Sequence, residues 1–387
     1  MHIAMIGQKG VPGRFGGIET HVTELATRLR RAGFSVTAYC RSWYATDKKA
    51  DRYNGIDLVT LPSLRTKHLD AITHTLFSTL HACFVLRPDV YHFHGVGPSL
   101  LAWMPKLFAP RATVVTTFHC IDRHHAKWGP LSRAMLRLGE RACLSFSDVC
   151  IAVSKTLKIY AHENYDKSAT YIPNGITPRR VATDDNLLAP FGLRPFGYVA
   201  FVARLVPHKQ AHTLVAAWQK AKALQPDTMR DIKLAIVGDS AFTDSYVRKL
   251  KASAAGDDSI VFTGYQTGEA LEALFAGSRF VVHPSTSEGL PIAVLEAMSY
   301  GKAVIASDIP AHLEVVGEYG VAFTTGDVDE LAQKIVTLAA DPMHAASLGH
   351  AARTYVESTY HWDDIAIATA AVYRKNVTVP DGVLALE

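Results

Sequence analysis

The sequence predicts an α/β protein built from two doubly wound, Rossmann-like domains. Three observations carry that prediction. Short apolar, β-branched runs alternate with helical patterns along the first half, the mark of a parallel sheet with helices on both faces. The alternation restarts at Tyr198, after a stretch rich in Arg, Asp and Pro. At 387 residues and 48% hydrophobic composition, the chain is long enough to fill two cores.

The opening run Met1-His-Ile-Ala-Met-Ile reads as a buried strand, because it is too short for a secretory leader and lacks a cleavage site. It runs into Gly7-Gln-Lys-Gly10-Val-Pro-Gly13-Arg-Phe-Gly16-Gly17. A helix then carries Ile18, Val22, Leu25, Ala26 and Leu29 at helical spacing and stops at Gly33. Five glycines after a strand allow a ligand to approach the backbone, or serve tight packing alone. The dinucleotide pattern Gly-x-Gly-x-x-Gly is absent, which argues against a dehydrogenase.

Further strands are expected over 35–40, 58–61, 90–94, 113–117 and 149–153, with a helix over 69–86. His92, His94 and His119 stand at strand ends, where ligands of open α/β sheets gather. His92 and His94 read as packing or supporting groups. Tyr171-Ile-Pro-Asn174-Gly175 closes the first domain, and 178–195 reads as a linker.

The second domain opens with a strand over 198–203 and then Arg204-Leu-Val-Pro-His-Lys209. Two cations five apart at a strand end suit a diphosphate: Arg forks two oxygens and Lys supplies a point charge. Strand–turn units follow at 234–238 and 261–264. The stretch His283-Pro-Ser-Thr-Ser-Glu288-Gly289-Leu290-Pro291 joins a strand over 280–282 to a helix ending near Gly301, with Pro291 expected at its first position. Bare N–H groups and the positive helix end make that junction an anion site. Glu288 and Glu296 would be repelled by phosphate, so each either accepts hydrogen bonds from sugar hydroxyls or is merely solvated. Asp327 and Glu330 read as a capping box rather than as a metal-binding Asp-x-Asp. The last helix is expected over 360–375, with a tail over 376–387.

Composition excludes several classes. No 18-residue apolar span occurs, so no membrane-crossing helix is expected. Five cysteines without paired spacing favour reduced thiols in a cytoplasmic setting. Eighteen histidines show no ligand spacing with Cys or carboxylates, so no metal is expected. The net charge of +4 divides unevenly: residues 1–185 hold 24 Lys/Arg against 14 Asp/Glu, net +10, leaving −6 for the remainder. A basic first half points to an anionic partner, and no nucleic-acid motif accompanies it. Arg133, Arg137 and Arg141 repeat every four residues on one helix face. That face is either simply solvated or meets anionic lipid headgroups or an acceptor diphosphate.

The spaced motif Pro-Ser-x-x-Glu288-Gly-Leu with Leu-Glu296-Ala-Met-x-x-Gly resembles the donor signature of family-4 glycosyltransferases, retaining enzymes of the GT-B fold. The resemblance covers about residues 1–375. It implies two domains facing a central cleft, 1–185 for the acceptor and 186–359 for the nucleotide-sugar donor, with helix 360–375 crossing back to the first. It implies that Glu296 binds the nucleotide ribose, that Glu288, Gly289 and Leu290 hold the donor, and that Arg204 and Lys209 take the diphosphate. It likewise implies roles for Gly16 and Gly17 at the phosphate and acceptor loop, for Gly264 beside the base, and for His119 near the donor sugar. Cys120, Ala203 and Gln210 depart from the family pattern. Ala126-Lys127-Trp128-Gly129 resembles a bacterial subgroup that builds rhamnose- or galactose-containing surface polysaccharides.

The expectation is thus a metal-independent hexosyltransferase with a nucleotide-diphosphate sugar as co-substrate and a saccharide or lipid-linked acceptor. It would be cytoplasmic, with peripheral contact to the inner membrane face and no nucleic-acid partner. The alternatives are an epimerase or phosphorylase on the same fold, separated by the absence of a glycosylated product, and a non-catalytic nucleotide-sugar-binding regulator, separated by the absence of turnover.

Overall fold

The computed structural model describes residues 1–13, 16–44, 50–66, 69–124, 129–178 and 183–376. These form two compact units: Met1–Asn174 together with the chain from Trp362 onward, and Gly175–His361. The Ala126–Trp128 part of the surface-polysaccharide motif and the tail beyond Asn376 lie outside the described residues.

The first unit holds strands β1 (His2–Ile6), β2 (Ser35–Arg41), β3 (Arg52–Tyr53), β4 (Ile56–Leu61), β5 (Val90–His94), β6 (Thr113–Phe118), β7 (Val149–Ala152) and β8 (Thr170–Tyr171). Their order is β3-β4-β2-β1-β5-β6-β7-β8, parallel throughout except for the β3–β4 hairpin. β1 lies between β2 and β5, so the winding reverses there. Both faces are covered, so every residue of β5 and β6 and all of β1 after His2 is buried, the histidines and threonines included. On one face Ile3, Met5 and Val115 pack under helix Gly17–Arg31 and helix Trp362–Asn376, the latter through Trp362, Ile365 and Tyr373. On the other, Ala4, Ile6, Tyr91 and Val114 pack against Ala82, Cys83 and Ala102.

The second unit holds β9 (Tyr198–Val202), β10 (Lys233–Val237), β11 (Ile260–Gly264), β12 (Val281–His283), β13 (Val304–Ser307) and β14 (Val321–Phe323). They are all parallel, in the order β11-β10-β9-β12-β13-β14, with the reversal between β9 and β12. Phe201, Trp218, Phe280 and Leu331 lie in its core.

Several boundaries differ from expectation. Ile176 bridges His361 and donates its N–H to the Tyr360 carbonyl, so the divide falls at 174/175 rather than 185/186. The expected linker is partly structured: Asp184 accepts the Asn186 N–H and starts helix Asp185–Leu188. Helix Asp70–His81 widens into a π turn over Ala82–Leu86. Pro291 is the N-cap of helix Ile292–Ser299 rather than its first residue, with ψ of 101°. Asp327 caps its helix as expected, but Glu330 reaches back to the Thr324 N–H instead of closing a reciprocal box.

Candidate active site

Reversals in doubly wound sheets open a crevice at the carboxyl ends of the central strands. In the second unit the loops after β9 and β12 meet there. The Thr286 N–H bonds the His208 carbonyl at 2.9 Å, stitching the two loops together. Arg204 and Lys209 come from the first loop, Glu288, Gly289 and Leu290 from the second, and Glu296 from the helix after it.

The Lys209 ammonium donates to Glu288 Oε1. Arg204, half-buried, has no ion pair among the described residues. No side chain caps the helix that starts after Pro291, so its first N–H groups face the junction uncovered by any carboxylate or hydroxyl cap. Gln210 takes the left-handed conformation (φ 57°) where the family pattern has glycine. Its side chain is secured by Thr213 Oγ1 at 2.5 Å and by the Pro207 carbonyl at 3.3 Å. Ala203 fits because its neighbour is bare: a Cβ on Gly238 would lie 1.9 Å from the Ala203 carbonyl oxygen. Gly264 closes β11, and its carbonyl accepts the Gly238 N–H at 2.9 Å.

Behind Glu288 lies a buried polar chain that sequence reasoning missed. His283 Nδ1 is 3.8 Å from Glu288 Oε1 and 3.1 Å from His312 Nε2. His312 Nδ1 faces the Ser307 hydroxyl and carbonyl at 2.9 and 3.1 Å. Burial would raise the Glu288 carboxyl, but the Lys209 ammonium, which donates to it, outweighs burial and holds the group far below the usual carboxylate range. Burial drives His312 down to about 4. Burial, aided by the Lys209 charge, depresses His283 well below its ordinary value. The loop thus carries an ionised carboxylate beside two neutral imidazoles.

In the first unit, Gly16 (φ 101°) precedes helix Gly17–Arg31, where any side chain would be strained. Glu19, one turn on, accepts the Lys9 N–H at 3.0 Å and so ties the glycine-rich loop to its helix. His119, just past β6, places Nε2 3.3 Å from His94 Nδ1. His21 packs edge-on to His119 with centroids 4.8 Å apart and bonds Asn174 Oδ1 at 2.9 Å. His92 bonds Tyr373 of the last helix and Thr117, each at 2.7 Å. Burial lowers His92, His94 and His119 well below their ordinary value, and His21 to about 4. His94 thus supports His119 through that hydrogen bond, one of the two readings that the sequence left open for it. The Cys120 thiol turns to Asp122 Oδ1 at 3.2 Å.

Folding also gathers two sets of metal-capable donors that sequence spacing does not reveal: His21, His94 and His119, and His283, Glu288 and His312. In each set the ligand atoms lie within 4.8 Å of one another. In the second set the Lys209 ammonium already occupies the Glu288 oxygen and would oppose a cation there.

Residues 15–180 match the profile described as Glycosyltransferase Family 4, and 197–341 that described as Glycosyl transferases group 1. The chain is 28% identical to alpha-maltose-1-phosphate synthase of Mycobacterium tuberculosis (strain CDC 1551 / Oshkosh), over 97% of this chain and 99% of that protein. It is 26% identical to the GDP-mannose-dependent alpha-(1-6)-phosphatidylinositol monomannoside mannosyltransferase of Mycolicibacterium smegmatis, over 91% and 93%. HepE of Anabaena, crystallised with UDP-glucose, superposes with a TM-score of 0.78 at 21% identity, covering 97% of this chain and all of that one. Two Rossmann-like parallel-sheet units with these matches define a glycosyltransferase of the GT-B fold. Within that class the chain belongs with the family-4 enzymes.

Proposed function

We propose that the protein transfers a hexose from a nucleotide-diphosphate sugar to a saccharide or lipid-linked acceptor, with retention and without a metal, in surface-polysaccharide assembly. The observation that carries this reading is the grouping of Arg204, Lys209 and an uncapped helix start around Glu288 at the carboxyl ends of β9 and β12. The cations and the helix end suit a leaving diphosphate and would do the electrostatic work that a metal does elsewhere. Glu288 suits donor hydroxyls, Glu296 the ribose, and Gly264 the edge of the base. The GDP-mannose dependence of one relative and the UDP-glucose bound to HepE support a nucleotide-sugar donor. The surface-polysaccharide role rests on the Ala126–Gly129 resemblance.

Glu288 is committed to Lys209, so no free carboxylate stands in the donor loop as a nucleophile. The reaction then follows a same-face course. The bond from the anomeric carbon to the phosphate oxygen breaks and the bond to the acceptor oxygen forms on the same side. The acceptor proton passes to the leaving phosphate, giving nucleoside diphosphate and glycoside. His119 is uncharged near neutral pH, so its contribution is that of a hydrogen-bonding imidazole.

Acceptor recognition falls to the basic first unit, working at the cytoplasmic membrane face. Among the described residues no helix is long and apolar enough to cross a membrane, so attachment would be peripheral. A thermal-shift panel of nucleotide sugars tests the donor reading. A true donor at 100 times its Kd stabilises by about 2.7 kcal/mol, whereas the free sugar does not.

A further inference from the structure

Three buried imidazoles meet at the carboxyl ends of β5 and β6: His94 ends β5, His119 follows β6, and His21 comes from helix Gly17–Arg31. His94 Nε2 faces the Met5 sulfur at 3.3 Å, an acceptor only, so that nitrogen carries the hydrogen and Nδ1 keeps its lone pair. That lone pair faces His119 Nε2, also at 3.3 Å. His21 gives its Nδ1 hydrogen to Asn174 Oδ1 at 2.9 Å, because an amide oxygen only accepts. Its Nε2 is then a bare acceptor, buried and without a hydrogen-bond partner among the described residues. The His21 ring lies 4.8 Å from that of His119 and 5.5 Å from that of His94, centroid to centroid. An orphaned acceptor at such depth is costly, and it calls for something small and electron-poor.

We infer that His21, His94 and His119 form a binding site for a divalent cation of the zinc class, held by His21 Nε2, His94 Nδ1 and His119 Nε2 with the fourth position open to solvent. Nitrogens around a tetrahedral zinc at about 2.0 Å stand about 3.3 Å apart, which is the spacing already present between His94 and His119. The ligand atoms lie within 4.8 Å of one another, so the third ring needs only a small inward shift. Asn174 on the far nitrogen of His21, and Met5 on that of His94, are the outer partners that fix a ligand's tautomer. A set made of imidazoles alone favours zinc-class metals over Mg²⁺ or Ca²⁺. Burial keeps the three rings uncharged. Coordination therefore needs only that the His119 hydrogen move from Nε2 to Nδ1, and no proton leaves the protein. Inhibition follows if the proposed role of His119 is right: a cation on Nε2 withdraws that imidazole from the donor sugar, so the ion blocks transfer and is not a cofactor for it.

Calorimetric titration of the EDTA-stripped full chain with Zn²⁺ and with Mg²⁺, beside Co²⁺ absorbance, tests the site without reference to activity. One Zn²⁺ should bind per chain, Mg²⁺ should not bind, and Co²⁺ should give intense tetrahedral bands with no thiolate charge-transfer band. His21→Leu should weaken Zn²⁺ about 100-fold or more. Asn174→Ala should weaken it about tenfold. His312→Asn, in the other donor set, should leave it unchanged. Circular-dichroism melts check that the variants fold; if His21→Leu does not, the wild-type cobalt spectrum and His312→Asn decide. No Zn²⁺ binding by wild type, a thiolate or octahedral cobalt spectrum, undiminished binding in folded His21→Leu, or its loss in His312→Asn would overturn the assignment. Transfer assays on the same preparations separate the two readings. Zn²⁺ bound one-to-one without slowing transfer would overturn the inhibition and the placement of His119. Loss of nucleoside diphosphate binding from the metal-free wild type would count against the donor site alone.

Discussion

Lys209 donates to Glu288 across 79 residues of sequence, so the donor loop holds its own counter-ion before any ligand arrives. A diphosphate entering the site must share or displace that ammonium. Lys209→Ala should therefore do two things. Nucleoside diphosphate affinity should fall about tenfold or more, the worth of one charge-assisted hydrogen bond. Stability should fall as well, because the largely buried Glu288 carboxylate loses its main countercharge. Adding Glu288→Gln should restore the melting temperature but not the affinity, read by calorimetric titration beside thermal melts.

Among the described residues Arg204 has no ion pair to lose, so its removal should separate binding from folding. Arg204→Ala is expected to weaken nucleoside diphosphate binding about tenfold and to change stability by no more than about 0.5 kcal/mol. Glu288→Ala should spare the free nucleotide and impair the sugar-dependent step. Equal losses for nucleotide diphosphate and nucleotide sugar in that variant would contradict the division of labour.

The buried histidines give the fold a built-in acid limit. His21, His92, His94 and His119 in the first unit, and His283 and His312 in the second, are all depressed from 6.5. Each takes up a proton in the unfolded chain below about pH 6.5 but not in the folded one, so stability is complete above that pH and declines as the pH falls. For His21 and His312 the decline runs to about pH 4. Each such group contributes a slope of about 1.4 kcal/mol per pH unit within its window. Glu288, also depressed, adds a loss only below its unfolded value of about 4.3. Urea unfolding at pH 7.5, 6 and 5 should show a steep fall below 6.5. A flat profile would mean that these imidazoles are not buried and neutral.

Activity should survive chelation. The donor cluster His283, Glu288 and His312 could bind a cation by residue type, but the Lys209 ammonium opposes one. Transfer rates with and without EDTA should agree within about twofold. A collapse rescued by Mg²⁺ or Mn²⁺ would show that the cations do not suffice.

What the sequence disclosed followed the range of each interaction. The Pro-Ser-x-x-Glu288 to Gly301 stretch was legible because strand, loop and helix signals sit side by side and the motif is long. The cap at Asp327 was legible for the same reason, although its Glu330 arm closes on Thr324. His312 was not, because it reaches His283 only after a loop, helix Ile292–Ser299 and strand β13 intervene. His21 stands among the apolar residues of its helix, and nothing local announces that His94, His119 and Asn174 will surround it. Spacing along the chain did not reveal the two donor sets because each joins strand-end residues to a helix: His94 and His119 meet His21 of helix Gly17–Arg31, and His283 and the loop residue Glu288 meet His312 of helix Pro310–Val316. Periodicity revealed the Arg133/Arg137/Arg141 face, but not the exposure of Leu131 and Leu138 beside it.

The most direct test of the account is the product itself. Purified protein is incubated in EDTA with each nucleotide-diphosphate sugar and a lipid-linked or saccharide acceptor, and the anomeric configuration of the new linkage is read by NMR while nucleoside diphosphate is counted. The account predicts one nucleoside diphosphate released per glycoside formed, with the donor's anomeric configuration kept. An inverted linkage, or a donor that binds tightly and is never transferred to any acceptor, would contradict it.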